Sequence, residues 1–151
     1  MGVEELRQQS GRHKRMFLDT MVFVYLLERN PHYGSLAEAI LADVEAGKLE
    51  ALTSALTLAE VLAGPAQAQN IAAMHDYELY LTSFPHLTIL DVERKHASTI
   101  ARVRAATGLR TSDAIQIALA ASAGADAIIG NDKAWLGKTG AIDYLMLNAF
   151  R

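Results

Sequence analysis

Short apolar runs alternate along the chain with longer segments that have helical periodicity. The apolar runs predict strands at residues 16–18, 49–53, 87–90, 127–129 and 142–147. Between them, apolar residues recur at the spacing of helices that bury one face. Because strands alternating with helices are typical of βαβ units, the pattern predicts a parallel sheet covered by helices on both faces.

Several helices carry start and stop signals in the sequence. Ser35, followed three residues later by Glu38, matches a capping box and predicts the start of a helix. Gly64-Pro65 predicts the end of another helix, because proline cannot continue the backbone hydrogen bonding. Thr111 or Ser112 is predicted to cap the helix that follows.

The first 15 residues differ from the rest of the chain. They are polar and charged and carry no core-forming pattern, which predicts a polar N-terminal tail, either mobile or folded as a short surface helix, before a single domain at residues 16–151. The basic cluster at residues 12–15 offers contacts to RNA phosphates, although a solvated charge run is the commoner explanation.

Composition limits the classes of function. With 151 residues, 51% of them hydrophobic and 21% charged, the chain is expected to form one ordinary globular domain. Cysteine is absent, so disulfides and thiolate metal sites are excluded. The net charge of −3 indicates no broad basic field, which does not exclude RNA. No apolar run approaches the length of a membrane span and the first residues lack a signal-peptide core, so a cytoplasmic protein is expected.

Four acidic residues are predicted to meet at one edge of the sheet. Asp19 follows the first strand, Asp132 follows the fourth, Asp113 begins a helix, and Glu60 lies in another helix. In open parallel sheets, ligands bind outside the carboxyl ends of the strands. Since four carboxylates share a crevice only if protons or cations neutralise them, this oxygen-rich set predicts a Mg²⁺ or Mn²⁺ site.

Each acid also has a simpler explanation. Asp19 could cap the helix that it precedes, although Thr20 beside it is itself a capping residue. Asp113 could be a first-turn acid that complements the helix dipole. Asp132 lies in a Gly-Asn-Asp sequence that is typical of turns.

The position of Glu60 depends on where its helix begins. If Thr57 is the cap, Glu60 completes a capping box and needs no further role. If Ser54 is the cap, Glu60 lies well inside the helix and faces solvent or a polar pocket. The sequence leaves both alternatives open.

Four segments resemble, in order and spacing, the four motifs of the PIN domain family, and above all those of VapC-type toxins of prokaryotic toxin–antitoxin modules. They are Phe17-Leu18-Asp19-Thr20 and the segments at residues 57–62, 111–118 and 128–132, and the resemblance covers about residues 16–147. It implies a three-layer α/β/α sandwich with a mostly parallel sheet of four to five strands. It also implies a Mg²⁺- or Mn²⁺-dependent ribonuclease, a homodimer, and a cognate antitoxin whose C-terminal segment occupies the groove.

The resemblance also assigns roles to individual residues. The catalytic and metal-binding residues would be Asp19, Glu60, Asp113 and Asp132. Residues supporting them would be Thr20, Ser112 and Asn131, and the basic candidates for RNA contact by motif position are Arg104, Arg110 and Lys133. Two positions depart from the family pattern: Gly130 stands where Thr or Ser is frequent, and Met21 where Asn is frequent.

Three functions are therefore compared. The first is an endoribonuclease in which three aspartates bind the metal and Glu60 helps to bind it or orients the attacking water. The second is a catalytically weak PIN-like module that binds RNA or protein, to which Gly130 gives some weight. The third is a receiver-type phosphoacceptor domain, which expects an adjacent pair of acids after the first strand, where this chain has only Asp19.

Two helical stretches, at residues 21–27 and 66–81, carry more apolar residues than one small core needs. Dimerisation or antitoxin binding would cover the excess.

Overall fold

The computed structural model describes residues 2–151 and contains one five-stranded sheet. Its strands are β1 (Arg15–Leu18), β2 (Glu50–Ser54), β3 (Leu87–Leu90), β4 (Ala127–Gly130) and β5 (Asp143–Met146). The strand order is β3-β2-β1-β4-β5, and every neighbouring pair is parallel. The predicted parallel sheet is therefore confirmed, with five strands.

Helices cover both faces of this sheet. They are α1 (Gly2–Ser10), α2 (Thr20–Leu27), α3 (Gly34–Glu45), α4 (Ala55–Gln67), α5 (Ile71–Thr82), α6 (Ala97–Thr107) and α7 (Thr111–Ser122), with short 3₁₀ turns at Arg94–His96, Lys133–Trp135 and Leu147–Phe150. Within residues 2–151, no helix has the length and hydrophobicity that crossing a membrane requires.

The alternation of side chains along β1 explains the three layers. Met16 and Leu18 point into a core shared with α1 to α5, whereas Phe17 points into a second core beneath α6 and α7. All three side chains are fully buried. A strand that is buried on both faces must be apolar at successive positions, which is the reason for the short continuous apolar runs in the sequence.

The order of the strands places a switch point between β1 and β4. From β1 the chain adds β2 and β3 on one side and later adds β4 and β5 on the other. Asp19 and Asp132 follow these two central strands, at the place where open α/β sheets bind ligands. The order also differs from the 2-1-3-4-5 order of receiver domains, which excludes that alternative.

Helix α4 extends beyond its predicted end. The Gly64-Pro65 pair does not end it, because the helix runs on to Gln67 with Pro65 inside its last turns. Proline has a helical φ and removes a single backbone donor, so near a helix end the loss is small enough to be tolerated.

Two predicted caps are also wrong. Helix α3 begins at Gly34 with Tyr33 as its N-cap, so Ser35 lies inside the helix. The Asn30 side chain accepts hydrogen bonds from the main-chain N–H groups just before the helix, at 2.9 and 3.0 Å, and orders its entry. Helix α7 has Arg110 at its N-cap, so neither Thr111 nor Ser112 caps it.

The N-terminal residues form helix α1, which packs on α3. Leu6 is fully buried in the same core as Met16 and Leu18, and the Arg7 guanidinium lies 3.2 Å from the Asp43 carboxylate. The sequence left a mobile tail and a surface helix open, and the structure contains a helix whose Leu6 side chain is part of the core. The division of the chain at residue 16 stays a prediction.

Candidate active site

Asp19 lies at the end of β1, in the N-cap position of α2. Its main-chain N–H donates to the Ile129 carbonyl oxygen of β4 at 2.9 Å, which extends the β1–β4 pairing to this residue. The side chain makes no capping hydrogen bond. Its carboxylate instead accepts a hydrogen bond from Gln116 Nε2 at 3.3 Å. The simple capping explanation for Asp19 is therefore not what the structure contains.

The environment of Asp19 is unfavourable for a negative charge. Burial raises the pKa of its carboxyl to about 7, and the charges of Glu60 and Asp113 add to this increase. Hydrogen bonds from the Thr20 main chain and the Gln116 side chain lower the pKa and offset part of the increase. The carboxyl groups of Asp19, Glu60 and Asp113 thus interact electrostatically at one edge of the sheet. A cation would relieve this arrangement.

Glu60 lies inside α4 rather than at its start. The cap is Ser54, whose hydroxyl accepts a hydrogen bond from the Thr57 N–H at 3.0 Å. A capping box between Thr57 and Glu60 is therefore not formed, which settles the alternative that the sequence left open. Instead, the Thr20 hydroxyl donates to the Glu60 carboxylate at 2.7 Å and ties α2 to α4.

Asp113 lies in the first turn of α7, and its side chain is only 14% exposed. The Arg110 guanidinium, which is 79% exposed, lies 3.4 Å from this carboxylate. A largely solvated arginine contributes little to stability through such a pair. Asp113 therefore faces the shared edge with a partner that can move away.

The loop after β4 is held on two sides. The Asn131 side chain donates to the Tyr25 hydroxyl at 2.9 Å and accepts from the Asn148 N–H at 2.7 Å. Asp132 accepts from the Ala134 N–H at 2.9 Å and so caps the short 3₁₀ turn that follows. The turn role considered for Asp132 is present, and the residue lies at the same edge of the sheet as Asp19 because β4 pairs with β1.

Tyr144 of β5 was not identified from the sequence. Its hydroxyl accepts a hydrogen bond from the Asp132 N–H and donates one to the Asp132 carbonyl oxygen, each at 3.0 Å. Burial raises the pKa of the phenol, and the charges of Asp19, Asp132 and Asp113 raise it further. Tyr144 is thus a neighbour of three of the four acids, and an aromatic residue on an ordinary strand gave no signal of this.

Gln116 is the second residue that sequence reasoning missed. It is 2% exposed and lies among apolar residues of α7. Its amide nitrogen donates to the Thr57 hydroxyl at 2.7 Å, and its amide oxygen accepts from Ser54. A signal was available, because an amide in an otherwise apolar helix must find hydrogen-bonding partners.

The chemistry of the donors fits a hard divalent cation. All four acids offer oxygen, as Mg²⁺ and Mn²⁺ prefer. Within the described part of the chain, no three acidic or histidine side chains lie close enough together to hold an ion by themselves. A cation bound here would need water to complete its coordination, which is usual for Mg²⁺.

The remaining predicted residues lie around this edge. Arg104 Nε donates to the Leu109 carbonyl oxygen at 3.3 Å and so braces the loop before α7. Ser112 is partly buried in the first turn of α7, and Lys133 is exposed beside Asp132. The roles assigned to these residues and to the four acids stay predictions.

Known proteins share this fold. The VapBC2 structure from Rickettsia felis, bound to a DNA fragment from its promoter, aligns with a TM-score of 0.65 and 16% identity, covering 87% of this chain and 98% of that one. FitAcB from Neisseria gonorrhoeae aligns with a TM-score of 0.67 and 19% identity over 87% and 97% of the two chains. VapC20 from Mycobacterium tuberculosis, a sarcin-ricin loop cleaving toxin, aligns with a TM-score of 0.65 and 14% identity over 81% and 93%.

At these identities the similarity concerns the fold. No curated protein matches the chain in sequence. The PIN domain family model, however, matches residues 16–140, which include all four acids. The chain therefore belongs to the PIN domain family.

Proposed function

We propose that this PIN domain is an endoribonuclease that depends on Mg²⁺ or Mn²⁺ and acts as the toxin of a toxin–antitoxin module. The observation that carries the proposal is a partly enclosed set of acids at the carboxyl edge of the sheet, where burial raises the pKa of the Asp19 carboxyl and the charges of Glu60 and Asp113 raise it further. Such a cluster is costly without a cation and useful with one.

The residues divide into those that hold the cation and one that acts on water. A bound divalent cation would supply polarisation of the RNA phosphodiester and activation of water. Asp19, Asp113 and Asp132 would hold it, directly or through water. Glu60, fixed by the Thr20 hydroxyl, would orient the attacking water towards the phosphorus atom.

The proposed RNA contacts are Arg110 and Lys133, which are exposed on the two loops flanking the acids. Their positive charges would hold backbone phosphates and place one scissile bond over the carboxylates. Arg110 now lies against Asp113, and a cation at Asp113 would release it towards RNA.

The proposed antitoxin site is a groove of about 510 Å³ between α2, α4 and α5. Its lining includes Val24, Leu27, Tyr77 and Glu60. A peptide in this groove would reach Glu60 and exclude RNA from the acids, which is how the C-terminal segment of an antitoxin would inhibit the protein. The proposed homodimer would use α5, where Ile71 is 67% exposed and Leu79 is 66% exposed.

The test is metal-dependent cleavage of RNA by the purified protein. With Mg²⁺ or Mn²⁺ we expect products that EDTA abolishes, and we expect Asp19→Asn to lower the rate at least about 100-fold while the fold is retained. The matched control is Asp143→Asn, at the opposite end of the sheet, which should cleave like the parent.

Two outcomes would contradict the proposal. If Asp19→Asn cleaves as fast as the parent, the acids are not the active site. If the parent binds RNA but releases no products with either metal, the chain is a PIN-like binding module instead.

A further inference from the structure

The side chain of Tyr144 packs directly against Gly130 at the carboxyl edge of the sheet. A Cβ atom on Gly130 would lie 3.1 Å from the Tyr144 hydroxyl oxygen, 3.2 Å from Tyr144 Cε1 and 3.4 Å from Asp19 Cβ. Gly130 is not among the glycines with positive φ, so its backbone does not require glycine. The constraint comes from the tyrosine, because a side chain at position 130 would push the Tyr144 ring away by a few tenths of an ångström.

The Tyr144 hydroxyl holds the main chain of Asp132 at both ends. It accepts from the N–H and donates to the carbonyl oxygen of that one residue, at 3.0 Å each. The ring itself is fixed, since it stacks on the buried Trp135 ring with centroids 5.8 Å apart and planes inclined by 29°. The main chain of Asp132 is therefore held in place by the fixed side chain of Tyr144 on β5.

From these contacts we infer that Tyr144 is a positioning residue for Asp132 in the metal centre. Its hydroxyl replaces the one that a Thr or Ser at position 130 would provide, so Gly130 and Tyr144 work as a single unit. The inference rests on the proposed metal-dependent function. It also weakens the argument that Gly130 favours a catalytically weak module.

A purely structural role for Tyr144 is separable from a positioning role. The ring supplies the packing on Trp135, whereas only the hydroxyl contacts Asp132. Tyr144→Phe therefore keeps the packing and removes the clamp. The matched control is Tyr80→Phe, whose ring packs against Phe84 on the other side of the sheet.

The first test measures three properties: hydrogen exchange in the metal-free protein, Mn²⁺ affinity, and RNA cleavage. For Tyr144→Phe we expect at least about 10-fold faster hydrogen exchange at the Asp132 amide, followed by NMR. We also expect about 10-fold weaker Mn²⁺ binding by calorimetry, the size typical for loss of a group that orients a ligand. With RNA, kcat should fall while KM stays within about 2-fold. Tyr80→Phe should match the parent throughout.

The second test asks whether positions 130 and 144 are coupled. Gly130→Ser in the parent places Cβ against the Tyr144 hydroxyl and should weaken Mn²⁺ binding. In the Tyr144→Phe background the same change no longer meets the hydroxyl, although ring carbon Cε1 is still close. Because the serine supplies a hydroxyl of its own, it should restore part of the lost binding. Non-additive effects of this sign support a single unit.

The inference is overturned if Tyr144→Phe leaves both the exchange of the Asp132 amide and Mn²⁺ affinity unchanged, or if the two substitutions are additive. Failure of the proposed function is distinguishable, because it would appear in the parent as metal binding without cleavage of RNA. If the parent binds no Mn²⁺, both the proposed function and the positioning of Asp132 for a metal fail.

Discussion

The Thr20 hydroxyl donates a 2.7 Å hydrogen bond to the Glu60 carboxylate, which joins the first residue of α2 to the interior of α4. Thr20 is buried, whereas Glu60 is exposed. The same hydroxyl lies 3.2 Å from the Thr57 hydroxyl and 3.4 Å from Gln116 Nε2. The exposed Glu60 carboxylate is thus oriented by a buried hydrogen-bond network that reaches it through the Thr20 hydroxyl.

The first prediction concerns this bond. Thr20→Val keeps the shape of the side chain but removes the donor to Glu60, so the carboxylate should lose its orientation. We expect kcat for RNA cleavage to fall about 10-fold, as for other supporting groups, with KM nearly unchanged. Thr82→Val, on the exposed face of α5, is the control. An unchanged kcat would show that Glu60 does not depend on Thr20.

The second prediction concerns the dependence of stability on pH without metal. The pKa of the Asp19 carboxyl is about 7 in the folded protein and 3.8 as a model value, so the folded state binds more protons between these pH values. Its free energy of unfolding should therefore fall as pH rises from about 4 to about 7, by a few kcal/mol at most, since the carboxyl is only partly buried.

Thermal unfolding at a series of pH values checks this. Asp19→Asn cannot titrate at this position, so its Tm should decline less than the parent's over the same range. Saturating Mg²⁺ or Mn²⁺ should remove part of the parent's decline by favouring the charged form. Equal slopes for the parent and Asp19→Asn would contradict the prediction.

The third prediction concerns Gln116. Gln116→Leu is similar in size but removes the partners of buried groups on Ser54 and Thr57, which should cost about 1–3 kcal/mol of unfolding free energy. Urea denaturation measures the difference. Gln67→Leu, at the exposed end of α4, should lie within about 0.5 kcal/mol of the parent. A similar loss in both variants would contradict a special role for the buried amide.

The fourth prediction concerns association. Leu79→Glu places a charge on the apolar face of α5 and should shift the protein from dimer to monomer at micromolar concentration. Light scattering after size-exclusion chromatography measures the mass. Leu136→Glu is the control, since Leu136 is 52% exposed but lies on the turn after β4. A monomeric parent would contradict the proposed dimer directly.

The fifth prediction concerns the basic residues beside the acids. Lys133→Ala should weaken RNA binding about equally for different sequences and reduce its salt dependence by about one phosphate contact. Lys95→Ala, near the Glu93 carboxylate, controls for a general change in charge. Fluorescence anisotropy at several salt concentrations measures both, and an unchanged salt dependence would remove Lys133 from the interface.

The strand and helix pattern could be predicted because it follows from local periodicity. Asp19 and Asp132 could be placed at the same edge because strands buried on both faces must be apolar and must pair in parallel. The start of α4 could not be decided, since Ser54 and Thr57 are equally good caps by type. The structure distinguishes them through a contact that only the folded β2–α4 turn provides.

Residues whose role depends on partners far away in the chain could not be predicted from the sequence. Tyr144 matters because β5 lies beside β4, and this neighbourhood depends on the order of the whole sheet. Gln116 matters because its amide forms hydrogen bonds with four residues that are distant in the chain, Asp19, Thr20, Ser54 and Thr57. Ser35 shows the opposite error: its local pattern was right for a cap, but Asn30 orders the entry to α3 and the helix begins one residue earlier.

The central place of β1 has a consequence for the order of folding. Met16 pairs with Ala51 early in the chain, but its other partner is Ala127, more than a hundred residues later. A nascent chain therefore holds Asp19 and Glu60 long before β4 emerges to fix the Asp19 main chain through Ile129. Such distant contacts form slowly, because the intervening chain must first be closed into a loop. The proposed nuclease would thus be incapable of cutting RNA during most of its own synthesis.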